Sequence, residues 1–409
     1  MEELKEGWRR VKLGEIADIG SSKRIFMADY RESGVPFFRG KEIIQKSKGN
    51  NITTELYITE EKYNEIKNKF EVPQKGDILL TSVGTIGVPY LVNNNEPFYF
   101  KDGNVTWIKK YRDGVYNKYI YQWIKSPLGQ NQINQVTIGS TQKALTIDAL
   151  KKLEINLPPL ETQEKIASIL SALDDKIELN NEMNKTLEEM AQTLFKRWFI
   201  DFDFPNENGE PYRSSGGKMV DSELGEIPEG WKIGILEEIV DNFDAKRKPL
   251  SKKERDTKEK KYPYYGAAGI IDYVDNYLFN GEYILLGEDG TVITNEGTPI
   301  LNFINEKFWV SNHAHVIKAK EKFNNDFVHY LLRNTNVSHI VTGAVQPKIN
   351  QKNLNGLKIL IPKIKEISEF GILVSNFTKM LRNNNSEINS LTQIKDTLLP
   401  KLMSGEIEV

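Results

Sequence analysis

Apolar residues recur along two stretches of the chain in alternating steps of four and three. The first stretch carries Ile166, Leu170, Leu173, Ile177, Leu187, Ala191, Leu194 and Trp198, with Asn180 and Asn184 filling the same pattern. The second carries Phe370, Val374, Phe377, Leu381, Ile388, Leu391, Leu398 and Leu402, with Asn384 and Lys395 in the seam. A stripe this narrow is a heptad seam; a helix lying on a globular domain shows a broader apolar face. The pattern predicts two long helices, over 159–202 and 363–409, each ~60 Å long at 1.5 Å per residue and paired with each other. Asn in a seam weakens the pair but fixes its register, because a buried amide opposite an apolar residue stays unsatisfied. An antiparallel pair sets Asn184 against Asn384, and a parallel pair sets Asn180 there. The seam does not choose between them.

Outside these stretches the periodicity is mixed. Short β-rich runs at 77–80, 98–100, 105–108, 283–286 and 309–310 are bounded by Gly, Asn and Asp, as strands between turns are. Helical spacing covers 60–69, 118–125, 146–152 and 326–333. The fold class is α/β in the mixed, α+β sense. Residues 203–230 have no period and are dense in Gly, Pro, Ser and Asn, the composition of a linker.

The chain also repeats itself once. EGWRRVKLGEIADIGSSKR returns as EGWKIGILEEIVDNFDAKR, pairing Trp8 with Trp231 and Lys23-Arg24 with Lys246-Arg247. GDILLTSVGTIG returns as GEYILLGEDGTVI, and GSTQKALTIDALKKLEINLP as GAVQPKINQKNLNGLKILIP, pairing Gly139 with Gly343 and Gln142 with Gln346. The second helix repeats the first at the same spacing of 204 residues as this last pair. Two similar globular domains, 1–158 and 231–362, therefore alternate with two helices in an internal pseudo-twofold repeat.

With 409 residues, each domain is large enough to bury a core. The balance of 55 Lys and Arg against 57 Asp and Glu gives a net charge of -2, so any polyanion site is local. No apolar run approaches a membrane span, the first residues lack a secretory signal core, and no Cys is present. A cytoplasmic protein with no membrane partner is expected.

The search for catalytic chemistry is negative. Of four His, only His313 and His315 lie close together, alternating on a predicted strand; without a third ligand they make no zinc site. There is no Asn/Asp-Pro-Pro-aromatic loop of an amino-methyltransferase, and the Gly pairs in SVGTIG and GEDGTVI lack the Lys-Ser/Thr of a nucleotide loop. They read as tight turns. No catalytic, cofactor-binding or metal-binding residue is assigned.

Basic and polar clusters offer a nucleic-acid site instead. Residues 246–261 hold nine Lys or Arg against three acids, including Lys246, Arg247, Lys252, Lys253, Lys260 and Lys261, and lead into Tyr262, Tyr264 and Tyr265. The first copy offers Lys23, Arg24, Arg39 and Lys41. These suit phosphate contacts, though such a run is more commonly a solvated loop. Ser140, Thr141, Gln142 and Lys143 precede a short predicted helix, as do Gln346 and Lys348 in the second copy. Gln can pair with adenine, while Ser, Thr and the free N–H groups can hold a phosphate; a plain helix cap by Ser140, Thr141 or Thr146 is the competing reading.

GEIPEGW before the second domain, GDILLTSVGTIG, the long run GSTQKALTIDALKKLEINLPPLETQEKIASIL and the terminal LMSGEI together resemble the specificity subunit of type I restriction-modification enzymes, over essentially the full length. The resemblance implies two target recognition domains separated by two long antiparallel coiled-coil helices. Each domain then reads one half of a bipartite site in double-stranded DNA. It further implies no catalysis in this chain: S-adenosylmethionine, ATP and Mg belong to two modification subunits and to restriction subunits, the former docking on the helices. The second copy departs from the pattern with GAVQPK in place of GSTQK, which removes its hydroxyls. A different class of function is a coiled-coil scaffold whose twin modules bind RNA or a protein partner.

Overall fold

The computed structural model describes residues 5–49, 52, 54–138, 143–343 and 345–409. It divides into two compact units: residues 1–181 with 385–409, and residues 182–384. The two long helices, Leu160–Phe199 and Ile364–Ser404, each contribute one half to each unit.

In the first unit a four-stranded sheet runs in the order Asp18–Gly20, Val105–Lys109, Ile78–Thr81, Pro89–Leu91. A smaller sheet sets Val35–Phe38 between Tyr57–Ile58 and Tyr99–Phe100. The two ends of the domain are closed by Arg9–Lys12, antiparallel to Glu154–Leu157. In the second unit the corresponding closure joins Lys232–Ile235 to Lys358–Ile361. Its six-stranded sheet begins with the same order: Val240–Asn242, Ala314–Ala319, Phe279–Gly287, Leu301–Val310, then Tyr262–Tyr265 and Ile270–Val274. The parallel pairing of Phe37 with Tyr99 recurs as Tyr264 with Trp309. The repeat read in the sequence is thus a repeat of topology.

The helices pair antiparallel within each unit. In the first, Asn180 donates to Glu387 at 2.9 Å and Lys395 meets Asp174. In the second, Asn384 donates to Asn184 at 2.9 Å, the contact that only an antiparallel seam provides. Lys395 is tolerated in the seam because Asp174 sits opposite. Burial alone raises the pKa of Asp174, but Lys125, Gln122 and Lys395 outweigh it and hold it below the usual carboxylate range.

The narrow stripe describes only the middle of each helix. Toward the ends, residues off the seam are buried too: Ala167, Leu399 and Met403 join the first core, and Phe195, Phe199 and Ile367 the second. There the helix packs against both its partner and its domain, so the two alternatives weighed for the stripe hold at different places along one helix. Gln163 anchors the first helix entrance, accepting from the Tyr116 N–H and donating to the carbonyls of Gly114 and Pro158.

Residues 203–230 differ from the expected linker. Met219–Ser222 and Gly225–Pro228 form a hairpin. Phe204, 4% exposed, stacks between Tyr212 and Trp231 at 4.6 and 5.1 Å. Turn-rich composition hid three aromatic and aliphatic anchors, Phe204, Tyr212 and Ile227, that fasten the segment to the second core.

Candidate DNA interface

The loops that carry the two Gln residues share one stem geometry. In the second unit Thr342 and Lys348 exchange both backbone hydrogen bonds, at 2.8 and 2.7 Å, closing a loop over 343–347. Gly343 has φ +88°, and a Cβ there would sit 2.3 Å from the Gln346 carbonyl oxygen, so the turn demands glycine. In the first unit Ile138 and Ala144 exchange the same pair at 3.0 and 2.8 Å. The following residue is anchored alike: Leu145 donates to the Ser82 carbonyl, and Ile349 to that of Glu288, both at 2.9 Å. Ser140, Thr141 and Gln142 lie outside the described residues. In the second loop Val345 is fully exposed and Gln346 is exposed beside it.

The helices after these loops are capped further along than the hydroxyls of GSTQ. Thr146 accepts from the Ala149 N–H at 3.2 Å and Asn350 from that of Asn353 at 2.8 Å. Capping therefore belongs to this duplicated position, and the helices, of five residues each, begin at Ile147 and Gln351.

The basic candidates separate into two groups. Arg247 is turned inward, its side chain 13% exposed and bound to Glu288 at 2.5 Å. Arg39 likewise binds the buried Glu42 at 2.7 Å, and Arg24 meets Asp102 at 3.3 Å. Lys260 and Arg255 share Asp272, whose pKa is held down to about 2, chiefly by Lys260 and then by the Tyr273 N–H. Lys348 reaches Glu288 at 3.1 Å. Lys246 and Lys23 lie over the rings of Phe243 and Phe70. By contrast Lys41, Lys143, Lys252, Lys253 and Lys261 are exposed, and none forms an ion pair among the described residues. Two of the tyrosines beside the basic run are not a stacking surface: Tyr264 and Tyr265 are 1% and 5% exposed and belong to the sheet interior, while Tyr262 is half-buried and packs on Tyr277.

Free cations on a short helix, Lys252–Asp256, suit mobile contacts to phosphate. Replacing Lys252, Lys253 and Lys261 by Gln is expected to weaken binding to all duplexes alike and to flatten the salt dependence by up to about 0.9 per lost phosphate contact. Affinities measured across a salt series check this; an unchanged slope removes the helix from the interface.

Beneath the second loop lies a cluster that chain spacing did not reveal. Asp244, Glu288 and His315 bring ligand atoms within 4.8 Å of one another. The two His of NHAH do not share an environment: His313 is half exposed and bonded to Asp289 at 2.6 Å, whereas His315 is fully buried, with Nδ1 2.5 Å from Asp244. His315 Nε2 donates to the Ile349 carbonyl at 2.7 Å, at the base of the loop. Arg247 and Lys348 occupy the Glu288 carboxylate, so the cluster is an ionic network. Burial raises the pKa of Glu288, but Arg247, His315 and Lys348 prevail and keep it low. Asp244 is lowered in the same way, burial being overcome by His315, the Val316 N–H and Arg247. Aligning the two copies would have flagged it: Ser21, Ser82 and Thr106 stand where Asp244, Glu288 and His315 stand, and all three polar identities change together.

A sequence profile described as the type I restriction modification DNA specificity domain matches residues 5–189 and again 228–393. The chain belongs to this family. A type I restriction enzyme MjaIX specificity subunit from Methanocaldococcus jannaschii is 28% identical, over 99% of this chain and 95% of its own length. A putative specificity subunit from Haemophilus influenzae is 33% identical over 46% of this chain and 45% of its own. The crystal structure of a type I S subunit from M. genitalium superposes with a TM-score of 0.61 at 18% identity, covering 98% of this chain and 97% of that one, and shows the same fold. The protein is a DNA sequence-specificity subunit, non-catalytic in itself; the scaffold for RNA or protein partners is not supported. Among the described residues no helix is long and apolar enough to cross a membrane.

Proposed function

We propose that each globular domain of this specificity subunit reads one half of a bipartite DNA target, and that the paired helices set the spacing between the halves. The observation that carries this reading is the duplicated loop: the same backbone closure, anchored just past the end of the corresponding sheet strand, carries a Gln at the same sequence place in both copies. A Gln on a closed loop is suited to bidentate recognition of adenine. The exposed lysines supply affinity for phosphate without sequence choice.

The helices also dock two modification subunits, and restriction subunits join the assembly. S-adenosylmethionine, ATP and Mg are used on those partners, in the cytoplasm. Ile169 and Met190 of the first helix and their repeats Leu373 and Ile394 in the second are exposed apolar residues at equivalent positions, which fits two equivalent partners.

Methylation mapping of DNA modified by the full complex tests the reading. Gln142→Ala should relax one half-site only and Gln346→Ala the other, each losing about 1–3 kcal/mol of base discrimination. A uniform loss across all sequences would assign both residues to phosphate contact or to loop structure.

A further inference from the structure

We propose that Glu288 is a positioning residue for DNA reading by the second domain. It holds Lys348 and Arg247 so that the loop over 342–348 presents Gln346 in one conformation and Lys348 is withheld from phosphate. This rests on the proposed reading of that loop as DNA-facing.

Glu288 is a hub of contacts that all lead to the loop. Its side chain, 12% exposed, binds Arg247 through one oxygen at 2.5 Å and Lys348 through the other at 3.1 Å. Its carbonyl accepts from Ile349, and two residues on, the Gly290 N–H donates to the Pro347 carbonyl at 3.0 Å. Arg247 in turn donates to the carbonyls of Asn312 and Ala314 and lies 3.5 Å from Asp244. Asp244 and His315 continue the network to the Ile349 carbonyl at the loop base. One carboxylate thus ties the loop stem to the turn after Phe279–Gly287 and to the start of Ala314–Ala319.

The first domain builds the same stem without charge. Ser82 occupies the position of Glu288, Thr106 that of His315 and Ala144 that of Lys348. The two hydroxyls hydrogen-bond at 2.5 Å in a buried site. A buried carboxylate is tolerated only when its partners are in place, so the ionic version is directional and exacting. Lys348, with a side chain 46% exposed, has the reach for a phosphate but is bound inward. Its charge is used on geometry and not on non-specific affinity.

The test uses the full chain in complex with its modification subunits, reading methylation on duplexes varied at each half-site and binding across a salt series. Lys348→Met keeps the Glu288–Arg247 pair. It should lower discrimination at the second half-site by about tenfold, leave the first half-site unchanged, and leave the salt slope unchanged. Lys348→Arg still reaches Glu288 and should restore discrimination. Glu288→Gln releases Lys348 and should steepen the salt slope by about 0.9 while discrimination falls. A Lys348→Met variant that flattens the slope makes Lys348 a phosphate contact and overturns the proposal; so does unchanged discrimination in either variant. Gln346→Ala separates the two readings. If it relaxes the second half-site while Lys348→Met does not, only the role of Glu288 fails; if Gln346→Ala has no effect there, the loop is not the reading element.

Discussion

A chain with one heptad added to each long helix should methylate targets whose half-sites are unchanged in sequence but separated by a longer spacer, and should lose activity at the original spacing. The antiparallel contacts fix where the additions go. Asn184 meets Asn384, so inserting between Asn184 and Lys185 and between Asn383 and Asn384 places new heptad against new heptad. Every existing pair is kept. Seven residues lengthen a helix by about 10 Å, or roughly three base pairs at 3.4 Å each. Three base pairs also rotate the second half-site by roughly a third of a turn, at about 10.5 base pairs per turn. Binding therefore weakens unless the partners follow, and the best spacer is found by scanning lengths in methylation assays. Full activity at the native spacing, or altered half-site sequences, would refute the role of the helices as a ruler.

The helices were legible because their signal is periodic and long. A seam sustained over nine steps leaves little room for another reading, and the Asn184–Asn384 contact then needed only one observation of direction. The duplication was legible because Trp8 and Trp231, or Gly139 and Gly343, stand in runs too similar to be chance. The site was legible only in part. Arg24, Arg39 and Arg247 looked like free cations, yet carboxylates claim them: Asp102 and Glu288, distant in the chain, hold Arg24 and Arg247, and Glu42, three residues on in the next helix, holds Arg39. Exposure of a charge depends on tertiary partners, which a local count of nine cations does not contain. The buried ionic network was missed for the same reason, since Asp244, Glu288, His315 and Lys348 come from four separate segments. The segment 203–230 misled through composition: Gly209 and Gly216 serve turns ahead of the hairpin, and Phe204, Tyr212 and Ile227 pack the segment onto the second core.

Phe370→Ala should destabilise the unit formed by residues 182–384 by about 3–5 kcal/mol, the cost of emptying a fully buried aromatic site. The seam pattern assigns Phe370 to helix pairing, but its surroundings show a wider role. It meets Phe199 edge-on at 5.1 Å, Phe195 at 5.8 Å and Trp198 at 6.1 Å on the first helix. It also meets Tyr330, on the domain helix Asn325–Arg333, at 6.2 Å. Each such pair adds about 0.5–1.5 kcal/mol beyond the area it buries. Removing the ring therefore loosens the helix pair and its attachment to the recognition domain together. For a unit of this size, a loss of 4 kcal/mol lowers the melting temperature by roughly 10 °C. Leu187→Ala is the matched control, because Leu187 is buried in the seam yet absent from the domain core. If Phe370 acted in the seam alone, the two truncations would cost similar amounts in calorimetry. A markedly larger loss for Phe370→Ala, with discrimination weakened at the second half-site and preserved at the first, is the result that follows from its position where helix and domain share one core.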